Sequence, residues 1–218
     1  MAPTTGRAGG ITFTIDVEDY APDGDEIRAV AVVDDVLAQL DELGVRGTFF
    51  VVGELAAAEP TMVGRIAASG HEVGLHGWRH VPFADIEPNA LAEELHRGRA
   101  TVEELAGSPV VGLRAPMFSL VPSVHSCLDA IVAAGFEYSS SVLPARSPLW
   151  GDPGAPRRPF RWPNGLLELP CPVTKIGPAV NPYLGGAYLR VLPFPFVTHG
   201  IRNAGDDELL WLYCHPYD

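Results

Sequence analysis

Residues 11–19 read ITFTIDVED. A β-favouring run, Ile11 to Ile15, passes directly into Asp16, Glu18 and Asp19, so a strand of the buried kind ends in negative charge. The rest of the chain repeats that layout. Residues 25–43 carry Ile27, Val30, Val33, Leu37 and Leu40 at helical spacing, with Gly44 as a C-cap. Thr48–Val52 (TFFVV) is a continuous apolar run, as expected of a strand covered on both faces. A helix over 60–69 is stopped by Gly70 and leads to a strand, HEVGL (71–75), and a polar loop, HGWRH (76–80). A helix over 88–106, a strand Val110–Leu113, a helix over 122–134 and a strand Phe136–Ser141 follow. Residues 144–165, rich in Pro and Gly, read as a long loop. Leu166–Leu169 and Ala187–Leu192 read as β-like runs, and Leu209–Cys214 is an apolar strand ending at His215. Strand alternating with helix implies βα units and a parallel sheet or barrel. Residues 1–10 read as a flexible lead and 11–218 as one domain.

Composition narrows the function. The 218 residues are 47% hydrophobic and 19% charged, enough for a sizeable core. A net charge of -12 disfavours nucleic acid and anionic membrane surfaces as partners, since phosphates require a basic face. Cys127, Cys171 and Cys214 lie far apart, with no disulfide framework or CxxC metal site. MAPTTGRAGG has no apolar stretch of the secretory type, and no run approaches the roughly 18 residues of a membrane span. The expectation is a soluble cytoplasmic protein. Neither GxGxxG nor a P-loop is present, so nucleotide phosphate binding is unsupported.

The polar clusters at 16–19, 76–80, 114 and 215 each follow a strand. In α/β folds the carboxyl ends of parallel strands are where active sites are built. His76 and His80 are four apart, a spacing that on a helical turn sets both imidazoles to grip one cation. Asp16, Glu18 and Asp19 repel one another, and a divalent cation would relieve them. Two histidines and one carboxylate leave open positions for water and substrate. Strand alternation puts Glu18 on the face of Asp16, whereas a bend at the strand end would present Asp19. Arg114 is suited to orient a carboxylate and keep it ionised. His215 is suited to general acid work.

In order, ITFTIDVEDY, HEVGLHGWRH, GLRAPMFSL and WLYCHPYD resemble the motifs of the polysaccharide deacetylase family, carbohydrate esterase family four or NodB-homology family. The spelling DVEDY, RAPMFS and CHPYD is similar to its exopolysaccharide-locus branch. The resemblance covers roughly residues 11–218. It implies a distorted (β/α) barrel of about seven parallel strands. It implies Asp16 as base, Arg114 as its orienter and His215 as acid. It implies Asp19, His76 and His80 as ligands of a divalent metal, zinc foremost, with cobalt, nickel or manganese as alternatives and Glu18 as the alternative to Asp19. The substrate implied is an N-acetylated sugar polymer or oligomer, with the Met117 amide at the oxyanion and Trp150 and Trp162 stacking on the sugar. The chain departs from the family in the spacing Asp-Val-Glu-Asp and in Met117 where an aromatic is usual. It also stops three residues after His215, so a barrel incomplete behind its last strand is expected. An amidase acting on a small amide and a catalytically impaired sugar-binding protein are the competing readings.

Overall fold

The computed structural model describes residues 10–19 and 28–218. The expected lead, Gly10 aside, and the start of the helix expected from residue 25 lie outside the described residues. The elements are β1 (Thr12–Val17), α1 (Ala29–Leu43), β2 (Gly47–Val51), α2 (Gly53–Ala58), α3 (Pro60–Ala68) and β3 (Glu72–Leu75). They continue with α4 (Pro88–Ala106), β4 (Gly112–Leu113), α5 (Leu128–Ala133), β5 (Tyr138–Ser139), β6 (Phe160–Arg161) and β7 (Leu167–Glu168). The chain then forms β8 (Val173–Ile176), β9 (Ala179–Pro182), α6 (Gly186–Val191), α7 (Phe194–Asn203) and β10 (Trp211–Cys214). Among the described residues no helix is long and apolar enough to cross a membrane.

The main sheet has the order β10-β1-β2-β3-β4-β5-β7-β6. Every pairing is parallel except that of β6 with β7. This is the expected α/β architecture with seven parallel strands. The sheet curls until Trp211 of β10, Tyr138 of β5 and Thr48 of β2 line one cavity of about 210 Å³. The end strands β10 and β6 do not pair with each other, so the barrel is incomplete.

Side-chain alternation along β1 and β2 separates an outer core from an inner lumen. Ile15 and Val17 pack outward with Val33, Leu37 and Leu40 of α1. Thr14 and Asp16 face inward, where both meet Arg114. On β2, Phe49 and Val51 join the outer core, while Phe50 lies against the Arg114 guanidinium. On α4, Leu91, Leu95, Gly98 and Val102 are buried, the stripe expected of a helix laid on a sheet.

Two sequence expectations are corrected. Residues 187–192 are not a strand: most of that run is α6, and six residues are too few for periodicity to separate the two. Leu192 is extended (ψ 140°) because Pro193 follows it, and that ends the helix. The loop at 144–165 is not wholly irregular, since β6 lies within it. The β8–β9 hairpin, α2 and α7 carry no signal that was read from the sequence.

Glu168 is a fully buried carboxyl on β7. Its Oε1 accepts from the Ser141 amide (2.7 Å) and the Val142 amide (3.0 Å), and Ser141 Oγ accepts from the Ala115 amide (2.8 Å). Burial pushes its pKa up, against the lowering effect of these donors. The native state thus holds this proton more tightly than the unfolded chain. Its stabilising contribution is full below the ordinary glutamate value of about 4.3 and is lost as pH rises through the raised native value. Glu168→Gln removes the titration. The melting midpoint of the wild type minus that of the variant should fall as pH is raised from about 4.3, the ordinary glutamate value, through neutrality. Thermal melts across that range check this, and a difference independent of pH contradicts it.

Candidate active site

The carboxyl ends of β1, β3, β4 and β10 converge. Glu18 follows β1, His76 follows β3, Arg114 follows β4 and His215 follows β10. His76 Nδ1 lies 2.9 Å from the Arg114 carbonyl, which can only accept, so Nδ1 carries the proton and Nε2 presents a lone pair. That Nε2 is 3.7 Å from Glu18 Oε2, and His80 Nε2 also lies against the same oxygen. Residues 78–80 form a bend and not the helical turn that the four-residue spacing suggested. Gly77, at φ +75°, makes that bend, and a side chain there would press on the Arg79 carbonyl at 3.0 Å. The two imidazole rings meet with centroids 5.2 Å apart.

One ligand atom from each of Glu18, His76 and His80 lies within 4.8 Å of the others. Glu18 Oε2 is buried without a directed hydrogen bond. Ligands bound at about 2.0–2.1 Å around a tetrahedral ion stand roughly 3.3 Å apart, close to the His76–Glu18 separation. Two imidazoles and one carboxylate, with Glu18 Oε2 set against both Nε2 atoms, fit a divalent cation. Burial alone would push the Glu18 pKa up, but His76 and His80 outweigh it and hold the carboxyl below the usual range. Burial likewise disfavours protonated His76, yet Asp16 and Glu18 raise its pKa.

Asp19 lies outside this group. Its Oδ2 accepts from the Ala29 amide at 3.0 Å, at the start of α1. The alternation of β1 carries past its last residue, so Glu18 shares the inner face with Thr14 and Asp16. The carboxylate gathered with His76 and His80 is that of Glu18, the alternative to Asp19.

Arg114 has no exposed surface. Its Nη1 donates to Asp16 Oδ1 (2.6 Å) and Thr14 Oγ1 (2.9 Å), and its Nη2 to Ser140 Oγ (3.1 Å). Its guanidinium carbon sits 4.2 Å from the Phe50 ring centroid and 4.3 Å from that of Trp211. Asp16 Oδ2 is 4.0 Å from His215 Nε2. On the far side of that imidazole, Nδ1 meets Asp218 Oδ2 at 2.9 Å, and the His215 amide donates to the same oxygen. Asp218 thus fixes the ring and turns Nε2 toward Asp16.

Asp16, Glu18, His76, His80 and His215 line a cavity of about 220 Å³ whose apolar rim is Ala115, Met117, Phe118, Leu149 and Tyr217. Met117 (φ 56°) and Phe118 (φ 54°) are consecutive non-glycine residues in the left-handed region, a conformation of order 1–3 kcal/mol each that the packing imposes. Trp162 does not line the cavity. It packs on His125 and Phe160 (centroids 4.6 and 4.9 Å away), and its Nε1 faces Glu168. Trp150 is also absent from the lining, and Leu149 stands there instead. Sequence reading missed Tyr217 and Asp218. Their place directly after His215 in HPYD was the available signal.

Residues 7–138 match the family model for polysaccharide deacetylases, and residues 140–218 match a domain of unknown function. The chain is 31% identical over 81 residues to a peptidoglycan-N-acetylglucosamine deacetylase of Bacillus cereus, covering 37% of this chain and 30% of that protein. It is 38% identical over 61 residues to a chitooligosaccharide deacetylase of Bradyrhizobium, covering 28% of each. The matched stretches thus span under a third of those relatives. By fold it is similar to a Mycobacterium smegmatis protein assigned to the polysaccharide deacetylases (TM-score 0.72, 24% identity, all of this chain and 79% of that one). It is also similar in fold to a Bacillus anthracis pseudoenzyme of carbohydrate esterase family four (TM-score 0.56, 14% identity, 97% of this chain and 56% of that one). With more than half of its length matched by the family model and its motifs gathered around one cavity, the chain belongs to the polysaccharide deacetylase family.

Proposed function

We propose that this chain is a metal-dependent hydrolase that removes N-acetyl groups from an amino-sugar polymer or oligomer. The observation that carries this reading is the convergence of Glu18, His76 and His80 beside an Asp16 tethered by buried Arg114. Glu18, His76 and His80 would hold a divalent cation, zinc by donor type, which supplies Lewis acidity toward the acyl carbonyl and toward water. Asp16, with Oδ1 tied to Arg114, keeps Oδ2 on the His215 side and accepts the proton of the attacking water. The Met117 amide, on its left-handed turn, is the donor assigned to the oxyanion, a contribution of about 3–4 kcal/mol. His215, held through Nδ1 by Asp218, delivers a proton from Nε2 to the departing amine. Acetate and the free amine leave.

A second reading, an amidase on a small amide, draws support from the cavity itself. At about 220 Å³ it is smaller than a typical ligand cleft of roughly 300–1,000 Å³, and neither expected tryptophan lines it. Acetate release from chito-oligosaccharides, set against release from simple N-acetyl amines, separates the two. Turnover of the amines alone overturns the sugar reading.

His76→Ala and His80→Ala should each abolish zinc uptake and acetate release, and full turnover by either metal-depleted variant refutes the ligand set. Glu18→Ala should lose zinc, whereas Asp19→Ala should keep it and cost about 1 kcal/mol of stability through the helix start. Metal analysis and thermal melts of the pair decide between the two carboxylates. His215→Ala should retain zinc and lower kcat at least about a hundredfold. Steady-state kinetics check this, and an unchanged kcat removes His215 from the reaction.

A further inference from the structure

We propose that Tyr217 is a positioning residue that makes Glu18 a one-oxygen metal ligand. This rests on the metal reading of the site. Tyr217 Oη donates to Glu18 Oε1 at 2.6 Å, the length of a charge-assisted bond to an ionised carboxylate. The other oxygen, Oε2, is the one turned to His76 and His80. With Oε1 engaged by a hydroxyl, the carboxylate cannot swing to present both oxygens to the same ion. A coordination position is thereby kept open for substrate and water.

The tyrosine is itself fixed. Its ring stacks on the His215 imidazole with centroids 4.8 Å apart and planes 5° from parallel. Its carbonyl and that of Asp218 accept from Arg190 Nη1 at 3.4 and 2.9 Å. The Asp218 amide donates back to the His215 carbonyl at 3.0 Å, closing the turn. One short turn therefore holds both the imidazole facing Asp16 and the hydroxyl that orients Glu18. That turn lies within residues 140–218, the segment whose family model is a domain of unknown function, which here acquires a task at the metal centre.

Partners of this kind are typically worth 10–100-fold in metal affinity. Tyr217→Phe keeps the ring and its stacking and removes only the hydroxyl. Arg190→Ala loosens the same turn but keeps the hydroxyl. Zinc affinity is to be measured on the full chain by competition with a chromophoric chelator, and visible absorption on the cobalt-loaded protein. Tyr217→Phe should bind zinc about 10–100-fold more weakly. Its cobalt absorption should weaken as the second Glu18 oxygen joins the ion and coordination rises. Arg190→Ala, which keeps the hydroxyl, should change both measurements less than Tyr217→Phe does. Wild-type affinity and spectrum in Tyr217→Phe, or equal changes in both variants, overturn the proposal while leaving the metal reading in place. A wild-type chain that takes up no zinc overturns both.

Discussion

A guanidinium buried without exposed surface must be neutralised and hydrogen-bonded where it stands, or the site will not fold around it. Arg114 meets that demand with Asp16 and Thr14 of β1, Ser140 beyond β5, and the ring faces of Phe50 and Trp211. Those contacts reach β1, β2, β5 and β10, so one side chain ties together strands spread across the curled sheet. Removing either Arg114 or Asp16 would leave an unpaired charge in the lumen, typically a loss of 3–5 kcal/mol. The same pairing aims Asp16 at the cavity. The integrity of the lumen and the shape of the candidate site thus rest on one bond.

The long elements were legible in the sequence because long periodic segments leave little ambiguity. The helix expected over 88–106 coincides with α4, and the TFFVV run is buried throughout. Short pieces were not legible. β4, β5, β6 and β7 are two residues each, set by pairing with distant neighbours and not by local pattern. The run at 187–192 looked extended because Tyr, Leu and Val favour strands, yet α6 formed there. At the site, residue identity was readable and geometry less so. Alternation along β1 put Glu18 with the histidines, while Asp19 serves the start of α1. Trp162 went to packing because its indole covers the β6–β7 hairpin, a fate that composition alone does not disclose.

The working groups are divided between the two matched segments. Asp16, Glu18, His76, His80 and Arg114 come from residues 7–138, and His215, Tyr217 and Asp218 from residues 140–218. The sheet crosses the same boundary twice, through β10 on β1 and through β7 on β5. Glu168 reinforces the second crossing by gripping the amides of Ser141 and Val142. The candidate site is therefore a joint product of both segments.

The unclosed sheet has a further meaning for how the protein fails. β10 is laddered along its length on one side only, apart from a single bridge at Gly185–Tyr213. Outermost strands are among the first parts of a fold to open by local fluctuation. Here the outermost strand carries the imidazole, the phenol and the carboxylate that follow it. Fraying at this margin withdraws all three together while the remaining ladder stays intact. Mild heat or denaturant would then take the candidate site apart through a partial, reversible opening well before the bulk of the molecule melts.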